Sequence, residues 1–350
     1  MINLLYNIET FNPKEATDDL WNLYFDYYES YRLVEYPDEP LPSRDLEKEE
    51  MINHNKYYDV YRWIVFANEK KERIIGTGLL WHENSQSPGY EEVKDFTMFF
   101  ITVDSNYRRK GLGSKLLEIL TLKTIELNKK IMRLQTTNVS GMEFCKKIKG
   151  VVVAERAQNR LYIDEINWKM MDSWREEGKK KAFGVTLETF EEVPEKDLEE
   201  YCKLYTDVFN IAPAEDIPGK FICTPERRRI DEQDVKDKKY SWITIVSREQ
   251  TGELSGLTEI YYHHSNPEEV EQELTGVKTG KQKRGIGKWL KAEMLFLIKD
   301  NFPDAKYIST GNNDRNAPML SINNRMGFKR YKTELIFEIE INVLKEVFGI

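Results

Sequence analysis

Two kinds of hydrophobic pattern alternate along the chain, and their order in the first half recurs in the second. The near-continuous apolar run 96–103 is typical of a central strand covered on both faces. Apolar residues at helical spacing follow in each half, namely Leu116, Leu120 and Leu127 in the first and Leu290, Met294 and Leu297 in the second. The pattern therefore predicts two similar units that combine strands and helices.

The predicted elements follow the order of a mixed sheet. In the first half we predict strands at 62–67, 74–81, 96–103, 132–137 and a final pair at 151–154 and 160–166, with helices at 18–31, 46–53, from the glycine loop to about 128 and through 144. In the second half we predict strands at 183–190, 242–247, 254–263, 271–277, 307–310 and 335–341, helices at 195–209, after 287 and at 317–326, and a polar excursion at 212–239. This order predicts an α+β fold in which a mixed sheet has helices on both faces.

A basic, glycine-bearing loop precedes the helical stripe in each half. The second loop reads Gln282-x-x-Gly285-x-Gly287, and its first-half counterpart reads Arg108-x-x-Gly111-x-Gly113. Glycine lets the main chain approach a ligand without a Cβ, and a helix N-terminus offers free N–H groups and positive potential. We therefore predict an anion site at each loop.

Several landmarks recur at a nearly constant separation. Gly111 and Gly285 lie 174 positions apart, and a slightly larger shift sets Gly76 against Gly256. This recurrence predicts an internal duplication. We expect two tandem domains at 1–168 and 183–350, joined by a linker helix at 169–182.

Composition places the chain among cytoplasmic globular proteins. Hydrophobic residues make up 40%, no apolar run is long enough for a membrane span, and the first residues do not resemble a secretory leader. A net charge of -8 disfavours nucleic-acid binding, and the scattered cysteines Cys145, Cys202 and Cys223 disfavour a zinc site or a disulfide framework. The basic runs 179–181 and 227–229 are predicted to be solvated helix surface.

The loop pattern resembles [RQ]-x-x-G-x-[GA], the acetyl-coenzyme A pyrophosphate loop of the GNAT superfamily of N-acetyltransferases. A second GNAT motif, N-x-x-[AM]-x-x-x-[YN]-x-x-x-G-F, is matched by Asn316, Met319, Asn323, Gly327 and Phe328. The duplicated arrangement is similar to that of tandem GNAT proteins, a group that includes mycothiol synthase-like enzymes. The resemblance implies two acyl-coenzyme A N-acyltransferase domains in series.

The resemblance also implies which residues hold acetyl-coenzyme A, the expected acyl donor, without a metal. In the second unit these are Gly276, Val277, Gln282, Lys283, Arg284, Gly285, Ile286, Gly287, Lys288, Asn312 and Asn316. In the first unit they are Ile101, Thr102, Val103, Arg108, Arg109, Lys110, Gly111, Leu112, Gly113 and Ser114.

Acyl transfer to an amine needs a group that accepts the amine proton. Glu259 and Glu273, on predicted strands of the second unit, are the candidate bases. Asn323 stands where many GNAT enzymes carry a tyrosine as general acid, and it can donate a hydrogen bond but not a proton. When Gly76 is aligned with Gly256, Leu79 of the first unit takes the position of Glu259. We therefore expect the second unit to be the catalytic one.

Two functions of different class remain after this reading. The favoured function is acetyl-coenzyme A-dependent N-acetylation of a primary amine on a small-molecule or peptide-like acceptor, by a monomer or homodimer. The alternative is a non-catalytic acyl-coenzyme A sensor or interaction protein. Neither function involves nucleic acid or a membrane.

Overall fold

The computed structural model describes residues 6–211, 220–313 and 317–350. Its strands are β1 Asn7–Thr10, β2 Tyr58–Phe66, β3 Ile74–Glu83, β4 Phe96–Val103, β5 Ile131–Thr136, β6 Val151–Tyr162, β7 Thr186–Phe190, β8 Tyr240–Arg248, β9 Leu254–His263, β10 Glu269–Val277, β11 Tyr307–Asn313 and β12 Lys329–Glu340. Its α-helices are α1 Asp18–Glu35, α2 Arg44–Ile52, α3 Tyr90–Val93, α4 Leu112–Glu126, α5 Val139–Lys147, α6 Trp168–Lys181, α7 Leu198–Ile211, α8 Pro225–Asp237, α9 Ile286–Asn301, α10 Ala317–Met326 and α11 Ile341–Phe348. Within these residues, no helix has both the length and the apolar character that a bilayer span requires.

The chain forms two compact units. The first contains the described residues up to Val153 together with Leu335–Ile350, and the second contains Ala154–Glu334. This division differs from the boundaries predicted from the sequence, because the long strand β12 contributes its first half to the second unit and its last half to the first.

The first unit is built on strands in the order β1-β2-β3-β4-β5, followed by the last half of β12. The pair β4–β5 is parallel, and the remaining pairs of this unit are antiparallel. Adjacent residues of β2 pack in different cores, since Val65 lies with α4 and Ile64 lies with α1. Helices therefore cover both faces of this sheet.

The second unit repeats this plan with strands in the order β6-β11-β10-β9-β8-β7. Its parallel pair is β10–β11. Ile245 of β8 packs in the core that contains α6 and α9, whereas the next residue, Val246, packs in the core that contains α7. The predicted fold class, a mixed sheet with helices on both faces, is confirmed.

Three predicted segments differ from the structure. The strand pair at 151–154 and 160–166 is wrong, because β6 is one strand whose residues 156–162 pair without a break with β11. The polar excursion contains α8, which Thr224 caps by accepting from Arg227 N at 3.1 Å, with Pro225 in its first turn. The segment from 341 onward, for which no helix is predicted, forms α11 and buries Ile341 and Leu344.

Gly178 in α6 gives a test of the packing between α6 and α9. A Cβ on Gly178 would lie 2.4 Å from the Cβ of Trp289. We expect Gly178→Ala to lower the free energy of unfolding of the second unit by about 1–3 kcal/mol through overpacking. Helix propensity alone predicts the opposite sign, a gain of roughly 0.5–1 kcal/mol.

The control is Gly287→Ala in α9, where a Cβ would have 3.8 Å to Val277. We expect this variant to match or exceed the wild type in urea-induced unfolding followed by tryptophan fluorescence. Equal stability of Gly178→Ala and the wild type would contradict the close approach of the two helices.

Candidate functional site

In each unit the two parallel strands separate after a short paired stretch. Phe96–Met98 pairs with Ile131–Arg133 in the first unit, and Glu269–Glu271 pairs with Tyr307–Ser309 in the second. Beyond these positions β4 continues to Val103 and β10 to Val277. A ladder that ends in mid-strand leaves backbone donors and acceptors facing a cleft.

The glycine loops of the two units share an unusual backbone conformation. Arg109 and Gly111 have φ values of 61° and 89°, and Lys283 and Gly285 have φ values of 64° and 82°. Gly111 directly precedes α4 and Gly285 directly precedes α9. Left-handed residues turn backbone N–H groups into a concave anion-binding nest at a helix N-terminus.

The first residue of each loop ties the loop to the end of its strand. Arg108 Nε donates to Val103 O at 3.0 Å, and Gln282 Nε2 donates to Val277 O at 3.1 Å. The two units thus use different side chains for the same contact, which explains how an arginine and a glutamine can stand at equivalent positions.

Glycines on the neighbouring strands let the chain approach closely. A Cβ on Gly76 would lie 2.9 Å from Thr102 O, and a Cβ on Gly256 would lie 3.0 Å from Gly276 O. Gly76 pairs with Val103, and Gly256 pairs with Val277. The structure therefore places these two glycines at equivalent positions of the two units.

The cleft of the first unit forms a cavity of about 340 Å³. Its lining includes eight of the ten residues that the sequence predicts for this cleft: Ile101, Thr102, Val103, Arg108, Arg109, Gly111, Gly113 and Ser114. Leu112 lies instead in the hydrophobic core, and Lys110 Nζ donates to Asn106 O at 2.8 Å.

The residues of the second unit that are predicted to bind the acyl donor have diverse surroundings. Gln282 and Lys283 are exposed, whereas Ile286 is buried in the core. Arg284 Nη1 donates to Glu249 Oε1 at 2.6 Å, and the Lys288 ammonium lies 5.4 Å from the ring centre of Trp174. Among the members of this set whose side chains the structure describes, Gln282 and Lys283 offer the most accessible polar groups.

The predicted asparagines have different places in the described structure. Asn312 lies in β11 opposite Ala157, and Asn316 lies outside the described residues. Asn323 is buried in the last turn of α10, where its carbonyl accepts from Gly327 N and Phe328 N at 3.1 Å.

A β-bulge in β10 positions one of the candidate bases. The register with β9 shifts between Gln272 and Thr275, so Glu273 and Leu274 together lie opposite Glu259. Gln272 Nε2 donates to Glu259 O at 2.6 Å within the bulge. The paired stretch of β4 with β3 has no such shift, so the first unit lacks the bulge there.

Glu273 has the environment of a group that holds a proton readily. Its side chain is exposed, but desolvation by the surrounding protein, followed by the charge of Glu259, raises the pKa of its carboxyl. Burial, followed by the charge of Glu259, raises the pKa of the nearby Tyr205 well above its ordinary value, so the phenol stays neutral. The Glu273 side chain remains accessible, because atoms that line a concave site can desolvate a carboxyl group without covering it.

Glu259 is fully engaged by other side chains. Its Oε1 accepts from Arg228 Nη1 at 3.1 Å, from Thr244 Oγ1 at 2.8 Å and from the Tyr201 hydroxyl. Both Glu259 and Arg228 are 1% exposed. Arg228 also donates to Glu232 Oε1 at 2.9 Å, which makes a buried network of charged groups.

The prediction that 227–229 is solvated surface was wrong for Arg227 and Arg228, which are buried. The guanidinium of Arg228 lies 3.4 Å from the ring centre of Trp242, and its carboxylate partners offset the desolvation of its charge. The i,i+4 spacing of Arg228 and Glu232, just after the Thr224-Pro225 helix start, is the sequence signal that could have revealed α8.

The fold of this chain is similar to that of several solved structures. A tandem GNAT protein from the clavulanic acid biosynthesis pathway aligns over 96% of this chain and 98% of its own, with TM-score 0.76 and 14% identity. A GCN5-related N-acetyltransferase from Sphaerobacter thermophilus aligns over 96% of both chains, with TM-score 0.62 and 15% identity. No curated protein matches the sequence at a significant level.

Residues 17–150 match the model of the acetyltransferase (GNAT) family. This match lies within the first unit, and the chain as a whole shares the fold of the tandem GNAT protein. The resemblance read from the sequence is thereby confirmed.

The buried network predicts a stability effect for Glu259. We expect Glu259→Gln to lower the free energy of unfolding of the second unit by about 2–3 kcal/mol. This is less than the roughly 3–5 kcal/mol of a fully broken buried pair, because Glu232 still pairs with Arg228.

Glu188→Gln is the matched control, since Glu188 pairs with Arg248 at 2.7 Å but its side chain is 41% exposed. We expect it to change the free energy of unfolding by less than about 1 kcal/mol. Urea titrations of both variants check this, and equal effects of the two substitutions would refute the distinction.

Proposed function

We propose that the protein transfers an acetyl group from acetyl-coenzyme A to a primary amine, and that the second unit carries out the transfer. The observation that carries this proposal is the exposed Glu273 in the β10 bulge, beside parted strands and a left-handed glycine loop. The family supports acyl transfer in general. Donor, acceptor and acting unit are inferred from the site.

The second loop fits the diphosphate of the donor. Lys283 and Gly285 are left-handed, and a Cβ on Gly287 would meet nothing nearer than Val277 at 3.8 Å. Backbone N–H groups of the loop and the first turn of α9 would hold the diphosphate, with Gln282 and Lys283 as mobile polar groups. When bound, the coenzyme supplies the thioester-linked acetyl group.

Glu273 is the base that the geometry favours. It is exposed, and its raised pKa brings its proton affinity closer to that of an amine. Glu259 accepts three side-chain hydrogen bonds on one oxygen and is sealed from solvent. We therefore propose that Glu273 takes the amine proton and that Glu259 holds Arg228 and raises the pKa of Glu273.

The acceptor is proposed to be a primary amine on a small molecule or a peptide-like chain. The competing proposal is a non-catalytic acyl-coenzyme A sensor. Release of free thiol in a panel of primary amines with acetyl-coenzyme A separates the two. Coenzyme binding without turnover of any amine in the panel favours the sensor.

Replacement of Glu273 tests the base directly. We expect Glu273→Gln to lower kcat by about 10²–10⁴-fold, the range that a general base contributes. In the wild type only the carboxylate form accepts a proton, so activity should fall as the pH drops through the raised pKa of Glu273. This acid limb should lie above the ordinary carboxyl range and should disappear in Glu273→Gln.

The matching measurement is the pH dependence of the activity of Glu259→Gln, at a temperature where this variant is folded. If Glu259→Gln loses the acid limb and Glu273→Gln keeps it, the roles of the two carboxylates are the reverse of those proposed.

A pair of glycine substitutions tests which unit acts. A side chain fits sterically at both Gly287 and Gly113, where a Cβ would lie 3.8 Å from Val277 and Phe144 respectively. Aspartate at either site puts a carboxylate where the diphosphate is proposed to bind. We expect Gly287→Asp to lower kcat/KM by at least about 10–100-fold, the value of one or two lost charged hydrogen bonds.

Gly113→Asp should lower kcat/KM less than Gly287→Asp does. The opposite order, measured with the same amine, would assign the transfer to the first unit.

A further inference from the structure

A carboxylate from α1 lies at the glycine loop of the first unit. Arg108 Nη2 donates to Glu35 Oε1 at 2.5 Å, and Asn138 Nδ2 donates to Glu35 Oε2. The Glu35 side chain is only 7% exposed. The Glu35 carboxylate therefore accepts hydrogen bonds from Arg108, which follows β4, and from Asn138, which follows β5.

These two segments border the cleft. Arg108 opens the loop after β4, and its Nε is already tied to Val103 O at the end of that strand. Asn138 follows β5 and caps α5, where its side chain accepts from Ser140 N and Gly141 N. The contact at Glu35 thus spans the cleft at the loop, where a diphosphate would be held.

The tyrosines that flank Glu35 lie in the same place. Tyr31 and Tyr36 line the 340 Å³ cavity together with Gly111 and Gly113. The end of α1 therefore covers the cavity on the side of the glycine loop, and Glu35 bonds this end of the helix to the loop.

The second unit lacks this contact in the described residues. Gln282, the counterpart of Arg108, is exposed and donates only to Val277 O among them. Tyr27 and Tyr31 of α1 recur at a separation of 174 as Tyr201 and Tyr205 of α7, and the same separation sets Glu35 against Phe209. The position that holds the Glu35 carboxylate in the first unit therefore holds the neutral ring of Phe209 in the second.

We propose that Glu35 determines which of the two clefts takes the donor, by closing the first cleft against the diphosphate of coenzyme A. The carboxylate uses the Arg108 guanidinium that an incoming phosphate would need, and its charge repels that phosphate. Removing Glu35 frees Arg108 and Asn138 for the ligand. This inference rests on the proposed function, because it takes coenzyme A as the ligand of both clefts.

The test is a calorimetric titration with coenzyme A at low ionic strength. Gly287→Asp closes the second cleft, so it is combined with Glu35→Ala to isolate the first. We expect no binding to Gly287→Asp and one coenzyme A bound per chain by the double variant, with affinity for the first cleft raised at least about tenfold. Glu35→Gln keeps the side chain's size without its charge and should show the same gain in a smaller degree.

The control is Glu29→Gln on the Gly287→Asp background. Glu29 lies on α1, as Glu35 does, and pairs with Arg44 of α2 at 2.6 Å. It is not among the residues that line the cavity, so its loss should not open the first cleft. Circular dichroism verifies that each variant is folded, and Glu35→Gln replaces Glu35→Ala if alanine unfolds the unit.

The results separate this inference from the proposed function. Binding of coenzyme A by the wild type but not by either folded Glu35 double variant overturns the role of Glu35 alone. Tight binding by the first cleft of Gly287→Asp with Glu35 in place overturns it as well. Binding by neither the wild type nor the Glu35 variants rejects the donor assignment and this inference together.

Discussion

The separation of one pair of parallel strands is the constraint on which each unit depends. Phe96–Met98 and Glu269–Glu271 are each held by hydrogen bonds to a parallel neighbour, and the residues that follow are not. Unpaired backbone groups are unfavourable when buried, so a unit keeps such a gap only where water or a ligand can enter it. The glycine loop, the following helix and the bulge of β10 are all arranged around that gap.

The two units use this common frame differently. The second unit places a bulge and an accessible carboxylate, Glu273, beside its gap and holds Glu259 in a buried charged network. The first unit has an unbroken β3–β4 register, Leu79 at the place of Glu259, and the Glu35 carboxylate across its loop. The two clefts share one frame, and the side chains around them differ in charge and in accessibility.

Much of this architecture could be predicted from the sequence, and the reasons are local. The run 96–103 and the stripe after Gly285 carry the period of one element, and glycine is required where φ is positive, so strands, helices and loops followed from short segments. The burial of Arg228 and the reach of Glu35 to Asn138 could not be predicted in this way. Both depend on contacts between residues far apart in the chain, and the charge of each residue is more often solvated.

The long strand β12 carries the chain out of the second unit, and residues 335–340 then pair with β5 of the first. A ribosome releases residues in chain order, so the unit that is begun first receives its last strand only after the strands of the other unit have been made. Until then the edge of β5 is open to any extended segment nearby. Completion of the first unit therefore waits for residues 335–350, and an interruption of synthesis just after residue 334 leaves the first unit, rather than the second, without its last strand.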